Sequence, residues 1–253
     1  MLKHLALAAL LALSPLAAGA QSAAEHVAMG DRDHAALNAS SALARYEAAL
    51  AAEPTHGPAL WKASLEAADL GEASKDEAQR KALFAKAEGY ARRAVEASPE
   101  DADAHFTLAR ALGRAALSMG KRDRVKYAGD VRTHALKALE LNPRHAGALH
   151  VMGVWHAEVM RLSGLERFFA KNLLGGKVFD SANWNEAVSY MEQAVAAEPD
   201  RMTHRLDLGR VYADVGNKAK AREQLEWVVR ATPKEYNDGL YKVEAERALQ
   251  RLR

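Results

Sequence analysis

One ending recurs five times in this chain: Ala49-Leu50-Ala51-Ala52-Glu53-Pro54, Ala94-Val95-Glu96-Ala97-Ser98-Pro99, Ala138-Leu139-Glu140-Leu141-Asn142-Pro143, Ala194-Val195-Ala196-Ala197-Glu198-Pro199 and Val228-Val229-Arg230-Ala231-Thr232-Pro233. Each is the tail of an Ala-rich helical stretch halted by proline, which cannot continue a helix. Successive prolines stand 45, 44, 56 and 34 residues apart. The shortest spacing fits a unit of two helices and two turns, and the others fit that unit with inserts of roughly 11, 10 and 22 residues. Units of fixed length bury their apolar faces against their neighbours and expose a continuous concave surface.

Helix–turn–helix units of about 34 residues are the tetratricopeptide repeat. The fold expected is therefore all-α, a right-handed tetratricopeptide-repeat superhelix of about five helix pairs with inserts and a C-terminal capping helix. The units run over 23–56, 57–101, 102–145, 146–201 and 202–235, with a cap at 236–253, all in a single domain spanning 21–253. In the last unit Leu208-Gly209 and Tyr212 hold first-helix slots, and Ala221, Leu225 and Val228 hold second-helix slots. Gly209 allows close helix approach, while Tyr212 and Leu225 fill the space between. Asp214-Val215-Gly216-Asn217 makes the turn, because Gly and Asn tolerate a left-handed backbone. Unit by unit upstream, the corresponding small and apolar positions are Gly153, Ala187 and Met191; Leu108, Ala109, Ala135 and Ala138; Ala63, Ser64, Ala87 and Ala91; and Gly30, Ala42 and Tyr46. Residues 235–253 read as an amphipathic helix with Tyr241, Ala245, Ala248, Leu249 and Leu252 inward.

The first residues have the anatomy of an export signal. Lys3 and His4 are followed by an apolar run from Leu5 to Ala17, and Ala18-Gly19-Ala20 supplies the small-x-small cleavage pattern. A signal peptide at 1–20, a cut after Ala20 and a periplasmic or secreted chain starting at Gln21 are expected. The chain has no cysteine, hence no disulfide and no lipid-anchored Cys. Its formal net charge is +2, with no long basic tract, which speaks against nucleic acid as a partner. No second apolar run has membrane length.

The sequence offers little chemistry. His145, His150 and His156 are spaced so that they scatter around a helix, and no metal motif occurs. No nucleophile motif or phosphate loop is present, so neither a metal, a cofactor nor an enzymatic activity is expected. Asp101 and Asp103 read as helix-start residues. The run Lys121-Arg122-Asp123-Arg124-Val125-Lys126 reads as a solvated loop or as a contact for anionic lipid or an acidic partner.

The groove is the better candidate. Aligning the units places Trp61, Phe106, His150 and Leu206 at one slot of the concave face. Leu65, Arg110, Val154 and Arg210 fall one turn later, and Arg114 and Glu158 another turn on. Trp61, Phe106, Arg110, Arg114, His150 and Arg210 are thus the candidate ligand-binding residues. Arg forks grip carboxylates and phosphates; they also pair with acids such as Asp103 or Asp207. Arg110 and Arg210 are expected to face solvent, so replacing both with Glu is expected to remove the ligand and leave the melting temperature nearly unchanged. The Lys/Asn arrangement that clamps chaperone tails in some repeat proteins is missing from these slots. A second candidate surface is the insert from Arg161 to Ser181, where Leu165, Phe168, Phe169, Leu173 and Leu174 form an apolar stripe at helical spacing before Gly175-Gly176.

Leu60-Trp61-Lys62, Ala104-His105-Phe106 with Leu112-Gly113-Arg114, Ala148-Leu149-His150-Val151-Met152-Gly153 with Trp155, and the insert RLSGLERFFAKNLLGG together resemble the regulator of microtubule dynamics family and its bacterial tetratricopeptide relatives. The resemblance covers roughly 42–253. It implies an all-helical repeat domain, and as far as it goes the exported bacterial relatives have no assigned activity. Animal members are associated with microtubules and organelle contact sites, and the repeat domain of one is linked to phospholipid binding. With an export signal expected here, and no coiled coil or membrane anchor like theirs expected, a microtubule role is not expected to carry over. The expectation is a non-enzymatic exported protein that binds a partner protein or peptide in its groove; the alternative is binding or transfer of a phospholipid or other amphipathic anion.

Overall fold

The computed structural model describes residues 21–117, 119, 121–163 and 177–252. They form five helix pairs and a final helix: α1 (Ala23–Ala35) with α2 (Ala39–Ala52), α3 (Gly57–Ala73) with α4 (Glu77–Ala97), α5 (Ala102–Leu117) with α6 (Lys121–Leu141), α7 (Ala146–Arg161) with α8 (Trp184–Ala197), α9 (Met202–Asp214) with α10 (Lys218–Arg230), and α11 (Asp238–Arg251). A short 3-10 turn, Lys177–Ser181, precedes α8. No strand occurs among the described residues. This is the helical-repeat superhelix that the proline spacing predicts.

Local chemistry sets the helix ends. Ser22 and Glu25 form a reciprocal capping box on α1. Asn38, Asp76, Asn183 and Asn217 accept a backbone N–H at the starts of α2, α4, α8 and α10. Two histidines do the same work: the rings of His56 and His145 accept from the amides of Ala59 and Ala148 and start α3 and α7. Each of the five prolines follows a second helix by two or three residues. Gly216 has φ +79° in the turn expected to hold it.

Packing follows from small residues. Ala42, Ala49, Ala63, Ala67, Ala87, Ala91, Ala94, Ala135, Ala187, Ala194, Ala221 and Ala245 are fully buried, and so are Leu60 and Leu225. Glycines seat the largest side chains of the opposite helix. A Cβ on Gly30 would collide with the Tyr46 ring, and one on Gly209 would lie 2.8 Å from Leu225 and 3.3 Å from the Ala221 carbonyl. The inward face of α11 is as expected, with Tyr241, Ala245 and Leu252 buried.

The buried residues separate into two clusters. One gathers α1 to α6 with Val151, Met152, Trp155 and Val159 of α7 and Phe179 of the 3-10 turn. The other gathers Ala157 of α7 with α8 to α11. Helix α7 therefore contributes buried residues to both halves, and the half-buried Tyr190 of α8 packs beside it on the first cluster.

In the fold the structure differs from the sequence reading at two places. Leu206 is 1 % exposed and belongs to the second cluster rather than the groove; the next residue, Asp207, takes the concave position. Lys121–Lys126 is helical backbone at the start of α6, not a loop. Leu165, Phe168, Phe169, Leu173 and Leu174 lie outside the described residues, as do residues 1–20. No described helix is long and apolar enough to cross a membrane.

Candidate functional site

The first helices of the pairs line the concave face and enclose a cavity of about 540 Å³. Leu65 and Asp69 come from α3, Phe106, Arg110 and Arg114 from α5, His150, Val154 and Glu158 from α7, Asp207 and Arg210 from α9, and Tyr241 from α11. Five of the six groove candidates thus share one cavity. Trp61 does not line it; its half-buried ring instead carries the Lys62 ammonium 5.1 Å from its centroid. Phe106 packs against the His145 ring at 4.7 Å. It also covers Gly147, where a Cβ would come within 2.5 Å of it.

The cavity wall has two characters. Val131, Val151, Val154, Trp155, Val159 and Phe179 give an apolar side. Trp155 is 4 % exposed, lies parallel to Phe179 at 6.2 Å and donates its indole N–H to the Ala128 carbonyl at 2.8 Å. The opposite side is charged, and its arginines are occupied. Arg110 meets Asp69 at 2.5 Å and Arg114 meets Glu72 at 2.9 Å. Arg210 meets Asp207 at 3.0 Å and Glu244 at 2.6 Å, and Arg161 meets Glu158 at 2.6 Å and Asp214 at 2.5 Å. The His150 ring lies 2.9 Å from Asp207. Of the two readings of these arginines, pairing with acids describes the structure. Asp207 is the partner of Arg210, as its position implies, whereas Asp103 pairs with His145 at 3.1 Å rather than with an arginine.

The ion pairs are reflected in titration. Burial by itself would lower the Arg110 pKa, but the carboxylates of Asp69 and Glu72 outweigh it and raise it above the ordinary value. Burial would raise the Asp207 carboxyl, yet the His150 hydrogen bond and the charges of His150, Arg210 and Arg114 hold it well below the usual carboxylate range. Both groups are fixed as ions at neutral pH.

The sequence reading named Asp207 as a partner and placed Glu158 in the groove, but it did not name Asp69, Glu72, Asp214 or Glu244 as arginine partners, although a signal for part of this set exists. Carrying the third aligned slot through every unit gives Asp69, Arg114, Glu158 and Asp214, an acid in three units of four. That slot supplies the partners of Arg110 and Arg161, whereas those of Arg114 and Arg210 lie at other positions.

Two pairs of histidines stack on one another. His105 and His134 stack at 5.2 Å with their Nδ1 atoms 2.9 Å apart, and His105 Nε2 reaches the Pro99 carbonyl. His204, 3 % exposed, stacks on His150 at 4.7 Å. Among the described residues no group of three or more His, Asp or Glu is placed to hold a metal.

Burial lowers the His204 pKa well below its ordinary value, and burial lowers His134 and His156 as well. His34 moves the other way, raised by its hydrogen bond to Glu66. For the three lowered histidines the unfolded chain binds protons that the folded chain refuses, so their contribution is present above about pH 6.5 and is lost as pH falls toward the folded values. The His34 contribution is full below about pH 6.5 and fades as pH rises through its folded value. Three against one predicts lower thermal stability at pH 5.5 than at pH 7.5. Melting curves of the wild type and His204→Phe check this, and the variant should lose less on acidification.

A concave array of paired helices repeating at this period defines a tetratricopeptide-repeat protein. The chain belongs to the regulator of microtubule dynamics protein 1-3 family, whose model matches residues 24–253. It is similar to regulator of microtubule dynamics protein 1 of Mus musculus, 29% identical over 181 residues that cover 71% of this chain and 58% of the relative. Regulator of microtubule dynamics protein 3 of Rattus norvegicus is 25% identical over 167 residues, covering 66% of this chain and 35% of the relative. The chain spans about half the length of the type 1 relatives it matches. A thermophilic TPR protein of Thermus thermophilus shares the fold, with TM-score 0.64, 22% identity and coverage of 90% of this chain and 99% of that one.

Proposed function

We propose that the chain is a non-enzymatic binding protein whose concave cavity takes an apolar side-chain anchor of a partner protein or peptide, in an exported setting. One observation carries this reading: the cavity joins an apolar wall to a rim of arginines already matched by carboxylates. A binding cavity of about 300–1,000 Å³ buries most of a drug-sized group, and this one, at about 540 Å³, admits one or two large side chains. Carboxylates at Asp69, Glu72, Glu158, Asp207, Asp214 and Glu244 neutralise Arg110, Arg114, Arg161 and Arg210. An anion entering the rim would have to displace one of them. The charge balance therefore favours a neutral or basic segment over an amphipathic anion. Export rests on the sequence of residues 1–20, and N-terminal sequencing of fractionated material, expected to begin at Gln21, tests it.

A photo-crosslinking amino acid at Val154, on the cavity wall, is expected to capture a discrete partner in cells. The same group at Gln193, exposed on α8, should not. Equal capture at both positions, or recovery of lipid alone at Val154, would reject the reading.

A further inference from the structure

The chain closes on itself. Asn237, 3 % exposed at the start of α11, donates its side-chain amide to the Asp69 carbonyl of α3 at 3.0 Å, across 168 residues of sequence. One turn later the Tyr241 hydroxyl donates to Glu72 at 3.0 Å. Just ahead of α11, Glu235 lies 4.0 Å from His34 of α1 and 2.5 Å from Arg201. The turn that presents these groups is itself fixed, because the Asp238 carboxylate accepts the amides of Lys234 and Glu235 at 2.7 and 2.9 Å. The last helix thus reaches the first two units at the mouth of the cavity, which Asp69, Glu235, Asn237 and Tyr241 all line.

This closure differs in kind from the joints between neighbouring helices. Helix neighbours share a hydrophobic cluster, whereas the closure does not. The apolar residues of α11 belong wholly to the second cluster and those of α3 wholly to the first. Among the described residues the two clusters meet at α7 and the adjoining Tyr190 of α8, on the far side of the ring. A polar contact set contributes far less than a buried apolar seam, since a typical hydrogen bond is worth about 1 kcal/mol net and an exposed ion pair less. We propose that the protein is a two-jawed clamp. Residues 23–141 and 184–252 are its jaws, α7 is the hinge, and Glu235, Asn237 and Tyr241 form a polar latch against His34, Asp69 and Glu72. Opening the latch admits the occupant and closing it encircles that occupant. The role of opening rests on the cavity being the binding site; the existence of the latch does not.

Hinge closure around a ligand needs only a small free-energy bias between the two states, and the latch supplies one that can be removed without entering either core. The chain has no cysteine, so a donor and an acceptor dye can be attached at Lys75→Cys and Arg247→Cys, two exposed positions on either side of the closure. Single-molecule energy transfer on the full chain is expected to show one dominant short-distance state. Asn237→Ala combined with Tyr241→Phe keeps the aromatic ring in its core and removes both hydrogen bonds. A long-distance state should then grow roughly two- to tenfold per bond lost, with helical content unchanged. Unaltered distances in a folded double variant would overturn the proposal, because the ring would then be held by the curvature of the stack alone. If that variant does not fold, His34→Gln with Glu235→Gln, which leaves both clusters intact, decides in the same way. A wrong choice of binding site would show instead as failed crosslinking at Val154 with the distance change still present.

Discussion

Trp155→Ala is expected to lower stability by about 3–5 kcal/mol, the usual cost of deleting a buried aromatic. In a chain of this size that is a fall in melting temperature on the order of 10 °C. Three losses add up at this position. The indole is 4 % exposed, so its apolar area returns to water or leaves a void. Its N–H bond to the Ala128 carbonyl disappears and leaves that carbonyl without its side-chain donor. Its contacts with Phe179 and with the edge of His156, at 5.0 Å, go with it. Trp155→Phe should recover the packing share and not the hydrogen bond, so the interval between the two variants separates these contributions. Thermal and urea unfolding of both measures it. Because Trp155 lines the cavity, the alanine variant should also alter capture at Val154, whereas a core substitution remote from the cavity, such as Leu225→Ala, should destabilise without that effect.

The second large effect belongs to Arg110. Its side chain is 16 % exposed and meets an equally covered Asp69. Arg110→Glu removes a charge-assisted bond worth roughly 1.5–3 kcal/mol and sets a third carboxylate beside Asp69 and Glu72. A drop of several degrees in melting temperature is expected. Arg210→Glu should cost less, because Arg210 is 38 % exposed. The expectation that both reversals leave folding almost untouched is thus corrected, since Arg110 does not face solvent. Introducing Asp69→Arg into the Arg110→Glu background should recover part of the loss, and a double-mutant cycle reads out the coupling. Additive losses would show that the pair is incidental.

The architecture was legible because it is written in period and residue size. Proline stops, small residues at the helix crossings and the turn at Gly216 are local signals, and each sits where its spacing requires. The groove was legible only halfway. Repeat alignment brings Phe106, Arg110, Arg114, His150 and Arg210 to one surface, but it treats every slot as solvent-facing. Whether an arginine is free depends on what the next unit places opposite it, as Asp69 and Glu72 show for Arg110 and Arg114. The one-residue shift that buries Leu206 and exposes Asp207 is likewise invisible to alignment, because it depends on how the last unit rotates against the fourth. The contact of Asn237 with Asp69 was out of reach altogether. It depends on curvature accumulated over four units, and no local pattern encodes a sum of small rotations.

The small-residue seams set a rule for how this protein can change over time. Where Gly153 faces Met191, or Gly209 faces Leu225, in tight contact, a single added methylene has nowhere to go. Close-packed interiors yield by moving whole elements, and here each element carries part of the cavity wall. A substitution in a seam is therefore also a change of cavity shape. Drift that leaves the binding surface intact is channelled to exposed positions outside the cavity, such as Gln193 of α8, where added bulk meets water.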